Sequence, residues 1–248
     1  MNKQLKNYSR TILFTTLASL NAGPALAQMV LEEVIVTANK RESNLMDTPS
    51  AVSTYDSNPL HEHGIDNALD LANHTPSLTV APSRVSIPGV GRQNLALGSD
   101  PGVGLYWDGV YTTETDLFNY SNFLDIDRIE VVRGPQGTLY GRNSIGGAVN
   151  LHSIKPNTEE WGGKVIGEYG NYDYLVAQGL ASGPVTDKLS VLVGASQIKR
   201  DGFQKDVYSG KEYDDRDNSY WTIALDHQTT DRWNNSLKVM DADSDYHQ

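Results

Sequence analysis

The chain has 248 residues, enough for one or two domains with a sizeable core. Its formal net charge of −11 and pI near 4.9 have the wrong sign for a nucleic-acid protein, whose phosphate contacts need clustered Lys and Arg. Cysteine is absent, which excludes a disulfide scaffold, a Cys-ligated metal and a thiol nucleophile.

Residues 1–27 open with Lys3, Lys6 and Arg10, continue in the mostly apolar run Thr11 to Leu20, and close on Pro24-Ala25-Leu26-Ala27. A basic start, a short apolar stretch and an A-x-A site make a signal peptide, with Gln28 as the mature start. A membrane span needs about 20 apolar residues, and Asn21, Gly23 and Pro24 cut this run short. Next, Leu31 to Ala38 form a short β-prone segment, followed by the polar stretch Asn39 to Asn44. Such an extended peptide can add to a partner's sheet edge, with backbone hydrogen bonds giving affinity; read alone, the segment favours an ordinary first strand.

From Thr48 the pattern turns to α+β. Pro49 to Tyr55 read as a strand with Val52 and Thr54 on one face. Ile65, Ala68, Leu69 and Ala72 recur at helical spacing, with Asp66 able to cap and Pro76 as the stop. Leu78 to Val80 and Val85 to Ile87 read as short strands around Pro82. In GVGLYWDGVYT, residues 102–112, two β-prone arms flank Asp108-Gly109, a type I′ hairpin signal.

Arg128 to Ser153, RIEVVRGPQGTLYGRNSIGGAVNLHS, is the most specific stretch. Alternation puts Ile129, Val131 and Arg133 on one strand face, and Gly134-Pro135 end the strand. Gly134, Gly137 and Gly141 are expected to supply positive φ or close backbone approach, with Leu139 and Tyr140 as apolar mass between them. Gly146 and Gly147 let the strand Ala148 to Ser153 pass near other backbone. A phosphate loop is excluded: no G-K-[S/T] is present, and Trp107 stands where Gly102-Val103-Gly104 would need its third glycine.

This wording resembles the plug core of TonB-dependent outer-membrane receptors, and the order of segments from Glu32 to Pro156 is similar to that family's. The resemblance implies that Glu32, Glu33, Val34, Ile35, Val36, Thr37 and Ala38 are a TonB box that binds the periplasmic domain of TonB. It implies that Glu130, Arg133 and Arg142 pair the plug with the barrel wall, and that the substrate is a small molecule or metal chelate, ferric siderophores first. Tyr106, Trp107, Tyr111 and Tyr120 are candidates to face that substrate, although packing within the plug accounts for them as well. One departure is Ile87-Pro88-Gly89, where many members carry Ile-Arg-Gly, so an arginine and a backbone donor are missing. The resemblance implies outer-membrane lipid as a further partner and neither a cofactor nor a resident metal.

After Pro156 the texture changes to long alternating strands, expected near 162–170, 174–182, 188–200, 219–228 and 233–244. Leu189, Val191, Val193 and Ala195 alternate with Ser190, Leu192, Gly194 and Ser196; Trp221, Ile223 and Leu225 alternate with Tyr220, Thr222, Ala224 and Asp226; Leu237 and Val239 alternate with Ser236, Lys238 and Met240. One face suits lipid and the other a wet or filled lumen. Short connections at 183–187 and 229–232 and a long one at 201–218 match periplasmic turns and an extracellular loop. Five strands about 4.8 Å apart and tilted about 40° cover an arc of roughly 31 Å. A plug with a radius of gyration near ~13 Å needs a wall several times longer. The organisation expected is therefore a signal peptide at 1–27, box and linker at 28–47, an α+β plug at 48–156, and at 157–248 the first antiparallel strands of an incomplete transmembrane β-barrel.

Three chemical motifs are decoys. Ser196-Gln197-Ile198-Lys199 matches S-x-x-K, but an offset of three on a strand puts Ser and Lys on opposite faces. Asp241 to Asp245 resemble the start of a calcium loop, but Tyr246 replaces the required Gly. His61-Glu62-His63 reads as surface rather than a metal site. No nucleophile–base pair is legible, so an enzyme such as a secreted β-rich hydrolase is not expected. The expectation is an energy-coupled uptake receptor of the outer membrane, present here as a fragment without most of its barrel. The alternative is a soluble periplasmic binding or signalling module built on the plug.

Overall fold

The computed structural model describes residues 35–36, 43–44, 51–57, 60, 63–81, 84–91, 101–113, 118, 122–208, 210–230 and 232–245. All of them belong to one compact unit, 35–248. The leader, Gln28, the box residues Glu32, Glu33, Val34, Thr37 and Ala38, the pair His61 and Glu62, and Tyr120 lie outside the described residues. Of the box, Ile35 and Val36 form β1 (Ile35–Val36), which pairs antiparallel with β2 (Ser43–Asn44).

The N-terminal domain is built on a sheet of β3 (Ala51–Asp56), β9 (Ile126–Arg133), β10 (Gly147–Ser153), β7 (Val103–Trp107) and β8 (Val110–Thr112), in that spatial order. Strand β10 is antiparallel to β9 and parallel to β7, so it occupies the centre. On one face lies the main core, where Ile129, Val131, Val149 and Leu151 meet α1 (Ala68–His74) through Ala68 and Leu71. On the other face Tyr106, Tyr140 and Ala148 pack together under the short helix α2 (Gly137–Tyr140). Because both faces are covered, Glu130 and Val132 are as buried as Ile129 and Val131, and β9 is not the one-sided strand its alternation implies.

Several local details follow from side-chain chemistry. Helix α1 is capped by Asn67, not by Asp66: the Asn67 side-chain oxygen accepts from the Leu69 amide at 2.9 Å and the Asp70 amide at 3.1 Å. With that start the helix buries Ala68 and Leu71, with Ala72 partly buried beside them, and Leu69 turns outward at 40% exposure. At the β7–β8 turn Asp108 and Gly109 both have positive φ, 49° and 80°, as a type I′ turn requires. Pro88 and Gly89 form the tight turn between β5 (Arg84–Ile87), which also pairs with β4 (Thr79–Ala81), and β6 (Val90–Gly91). Pro favours the first central position of a turn, where its missing donor costs nothing, and Gly89 carries φ 74° at the second.

Of the five glycines in the 128–153 stretch, Gly134, Gly141 and Gly147 take positive φ. Gly146 is required by contact, since a Cβ there would stand 2.7 Å from the Ile87 carbonyl oxygen. Gly137 does neither: it opens α2 at ordinary φ with open space around it, which corrects the expectation.

The second sheet comprises β11 (Gly162–Gly170), β12 (Tyr174–Thr186), β13 (Leu189–Arg200), β16 (Arg216–Thr230) and β17 (Trp233–Asp245), antiparallel in that order, with β11 and β17 as open edges. Strand β12 continues past its expected end because a register shift between Pro184 and Thr186 accommodates the imino residue. The long connection carries a small ladder of β14 (Gln204–Lys205) and β15 (Glu212–Tyr213). Side chains divide as the alternation requires. Ser190, Leu192, Ser196, Tyr220, Thr222 and Ala224 are buried on the face toward the N-terminal domain, whereas Val193, Trp221, Ile223, Leu237 and Val239 are exposed on the other.

Candidate functional site

The N-terminal domain meets the long-strand sheet mainly through Asn122 and the 3-10 turn Phe123–Asp125, immediately before β9. The turn is itself anchored, since the Phe123 amide donates to the Asp66 carbonyl at the start of α1, at 3.0 Å. Its side chains reach successive strands of the sheet. Asn122 Nδ2 donates to Ser196 Oγ on β13 at 2.8 Å. Leu124 lies over Gly194 of the same strand, where a Cβ would come 3.4 Å from Leu124 Cδ2 and closer still to Leu180 and Thr222. Asp125 is 1% exposed; its Oδ1 accepts from the Tyr220 hydroxyl on β16 at 2.8 Å, and its Oδ2 pairs with Lys238 Nζ on β17 at 2.7 Å.

Lys238 is shared with other groups of the same domain. Its ammonium donates to Ser153 Oγ, lies 3.9 Å from Asp108 Oδ2, and sits 5.0 Å from the Trp107 ring centroid. A carboxylate withdrawn from water needs such partners. Beside this cluster a cavity of about 770 Å³ opens between the β7–β8 hairpin and the β16–β17 pair, lined by Trp107, Tyr111, Lys155, Leu225, Lys238 and Met240 among others. On the α1 side, the Asp66 carboxyl is pushed above the usual aspartate range by burial, then by the charges of Asp70 and Glu168, with Arg216 and Lys164 opposing. Asp70 is raised for the same first reason, again against Arg216.

The residues singled out from sequence fall in other places. Glu130 is fully buried, accepts from Arg128 Nε at 3.0 Å and lies 3.7 Å from His152 Nε2, all within the N-terminal domain. Arg133 stands opposite Ala51 and Gly147, and its Nε makes no hydrogen bond among the described residues. Arg142 is exposed on the turn after α2. Tyr106 is 6% exposed and Trp107 is 5% exposed. The Tyr106 hydroxyl donates to the Tyr140 carbonyl, and Trp107 Nε1 donates to Ser153 Oγ at 2.9 Å. Tyr111 is half-buried and its hydroxyl accepts from Asn143 Nδ2 at 2.8 Å. Ser196 faces the domain while Lys199 pairs with Asp217 at 3.0 Å, so the S-x-x-K match is divided between the two faces.

Asn122, Asp125, Tyr220 and Lys238, which take part in hydrogen bonds or ion pairs between domain and sheet, carry no motif in the sequence. The hint they give is positional: alternation sets Tyr220 on the face of Thr222 and Ala224, and Lys238 on the β17 face shared with Met240.

The family model described as TonB-dependent Receptor Plug Domain matches residues 44–148. The ferripyoverdine receptor of Pseudomonas aeruginosa is 28% identical over 226 residues, covering 84% of this chain and 27% of that protein. The pesticin receptor of Yersinia pestis is 29% identical over 161 residues, covering 63% of this chain and 24% of its own length. Among solved structures, the ferric yersiniabactin uptake receptor of Yersinia pestis superposes with a TM-score of 0.69 at 23% identity, over 78% of this chain and 31% of that one. The chain thus spans about a quarter of the length of these curated relatives.

Proposed function

We propose that this chain is a TonB-dependent receptor, whose plug-domain model matches residues 44–148 ahead of the antiparallel strands, and that it serves energy-coupled uptake of a scarce substrate across the outer membrane. The observation that carries this reading is the seating of the domain on one face of a five-stranded sheet whose other face exposes Val193, Trp221, Ile223, Leu237 and Val239. An apolar outer face suits lipid, and a polar inner face suits a filled lumen. The plug then obstructs the pore until work applied from the periplasm displaces it.

In this reading residues 48–156 are the plug and 157–248 the first part of the barrel. The substrate is a ferric siderophore or another metal chelate, a class supported by relatives named for ferripyoverdine and ferric yersiniabactin. Glu32 to Ala38 are the TonB box, and Ile35 and Val36 already hold the extended form that strand addition uses. Arg133 and Arg142 would complete the plug's electrostatic contacts with wall beyond the strands described, whereas Glu130, fully buried, faces Arg128 and His152 inside the plug. Tyr111, half-buried and lining the cavity beside β17, is better placed than Tyr106 or Trp107 to meet a substrate.

The test is capture by the periplasmic domain of TonB, comparing the wild-type chain with Val34→Pro. Proline removes an amide that strand addition needs. The expected result is a loss of about tenfold in capture, the effect of roughly one or two backbone hydrogen bonds. Equal capture of both proteins would overturn the box assignment.

A further inference from the structure

We propose that Lys238 is the positioning residue that seats the plug against this stretch of wall, with Asp125 as its counter-charge and Tyr220 as the hydroxyl donor to that carboxylate. The other cations of the sheet with a described ion pair are used locally: Lys199 pairs with Asp217, and Arg200 with Asp214. Every described partner of the Lys238 ammonium, namely Asp125, Ser153, Asp108 and the Trp107 ring, belongs to the plug. The charge of this one wall residue is therefore directed across the seam.

The physical character of the contact is that of a latch and not of an adhesive. An ion pair withdrawn from water adds little net stability over an apolar pair of the same shape, because desolvation offsets the attraction. Removing one partner is a different matter, since the remaining charge is left buried without compensation. Asp125 is 1% exposed; its Oδ1 takes the Tyr220 hydroxyl, and its Oδ2, with no hydrogen bond of its own among the described residues, has the Lys238 ammonium at 2.7 Å, so the charge is compensated only while both wall residues face it. Docking at this seam is consequently close to all-or-none: small separations are penalised, and full separation, which admits water to both charges, is not. In the uptake reading, on which this last role rests, the pair is a contact that plug displacement must break.

The test reads docking and not transport. Thr222→Cys places a thiol on the inward wall face beside the latch, at a position with no exposed surface, and Ala148→Cys places one inside the plug sheet. With no native cysteine, a maleimide reagent reports each site alone. Lys238→Met is expected to raise the alkylation rate at 222 by about tenfold or more, Tyr220→Phe by about threefold, and neither should expose 148. The double variant Asp125→Leu with Lys238→Met is expected to return the rate at 222 to within about threefold of the parent, because no unpaired charge remains. An unchanged rate at 222 in Lys238→Met, joint exposure of 148 and 222, or a double variant as open as the single one would each overturn the assignment. A chain that passes this test but is not captured by TonB would instead count against the uptake reading.

Discussion

At the scale of single residues, burial decides which charges matter. The Asp66 carboxyl is held above its ordinary value of 3.8 by desolvation first, and next by the negative charges of Asp70 and Glu168. An acid with a raised value in the folded state binds its proton more tightly there than in the unfolded chain. Its contribution therefore favours the fold at low pH, declines as pH rises from the unfolded value to the raised one, and penalises the fold above that window. Asp66→Asn should raise the urea midpoint at about pH 7 and leave it unchanged near pH 3, where both side chains are neutral. A difference independent of pH would rule out this origin. The backbone contact from Phe123 to the Asp66 carbonyl is kept by the substitution. Single residues were also the least legible level of the sequence. Asp125 and Tyr220 are 95 positions apart, and nothing local marks either as the other's partner. The family wording drew attention to Glu130, whose described partners Arg128 and His152 lie on β9 and its neighbour β10.

Elements were legible where one physical rule governed them. Period-two alternation placed the five long strands to within a few residues, and Asp108-Gly109 marked the hairpin, because each signal is carried by neighbours in sequence. The helix start was less legible: Asp66 and Asn67 are both capable caps, and only backbone geometry selects Asn67, whose φ and ψ are extended. The glycines of the 134–147 turn separate in the same way. Gly147 has φ 147°, and a Cβ there would stand 2.2 Å from the Val132 carbonyl oxygen, whereas Gly137 has nothing within 4 Å. Gly147→Ala should therefore destabilise by at least about 2 kcal/mol, while Gly137→Ala should be neutral or stabilise by up to about 1 kcal/mol, as measured by denaturant unfolding. Equal effects would mean that the turn tolerates both positions alike.

For the molecule as a whole, the two faces of the long-strand sheet make opposite demands on solvent. Trp161, Trp221 and Trp233 are exposed, Trp221 on the outward face, and Trp107 is enclosed by the plug and Lys238. These are the chain's four tryptophans. When the protein is reconstituted in vesicles containing brominated lipid, Trp107→Phe should leave fluorescence quenching intact, and replacing the other three by Phe should abolish it. Quenching carried by Trp107 alone would mean that the sheet does not face lipid. The fold class was readable at this scale because alternation reports burial on two sides of a strand. Which plug segment meets the sheet was not readable, since that depends on a turn, Phe123–Asp125, with no periodicity of its own.

That turn also bears on how the sheet is aligned. Asn122 and Asp125 contact Ser196, Tyr220 and Lys238, which lie on three adjacent strands. A slip of one residue in any of these strands turns its contact residue to the opposite face. A misaligned β16 would present Ser219 or Trp221 to Asp125 where Tyr220 now stands. Four consecutive residues thus serve as a gauge of strand register, and a sheet assembled out of step has no seat to offer the domain.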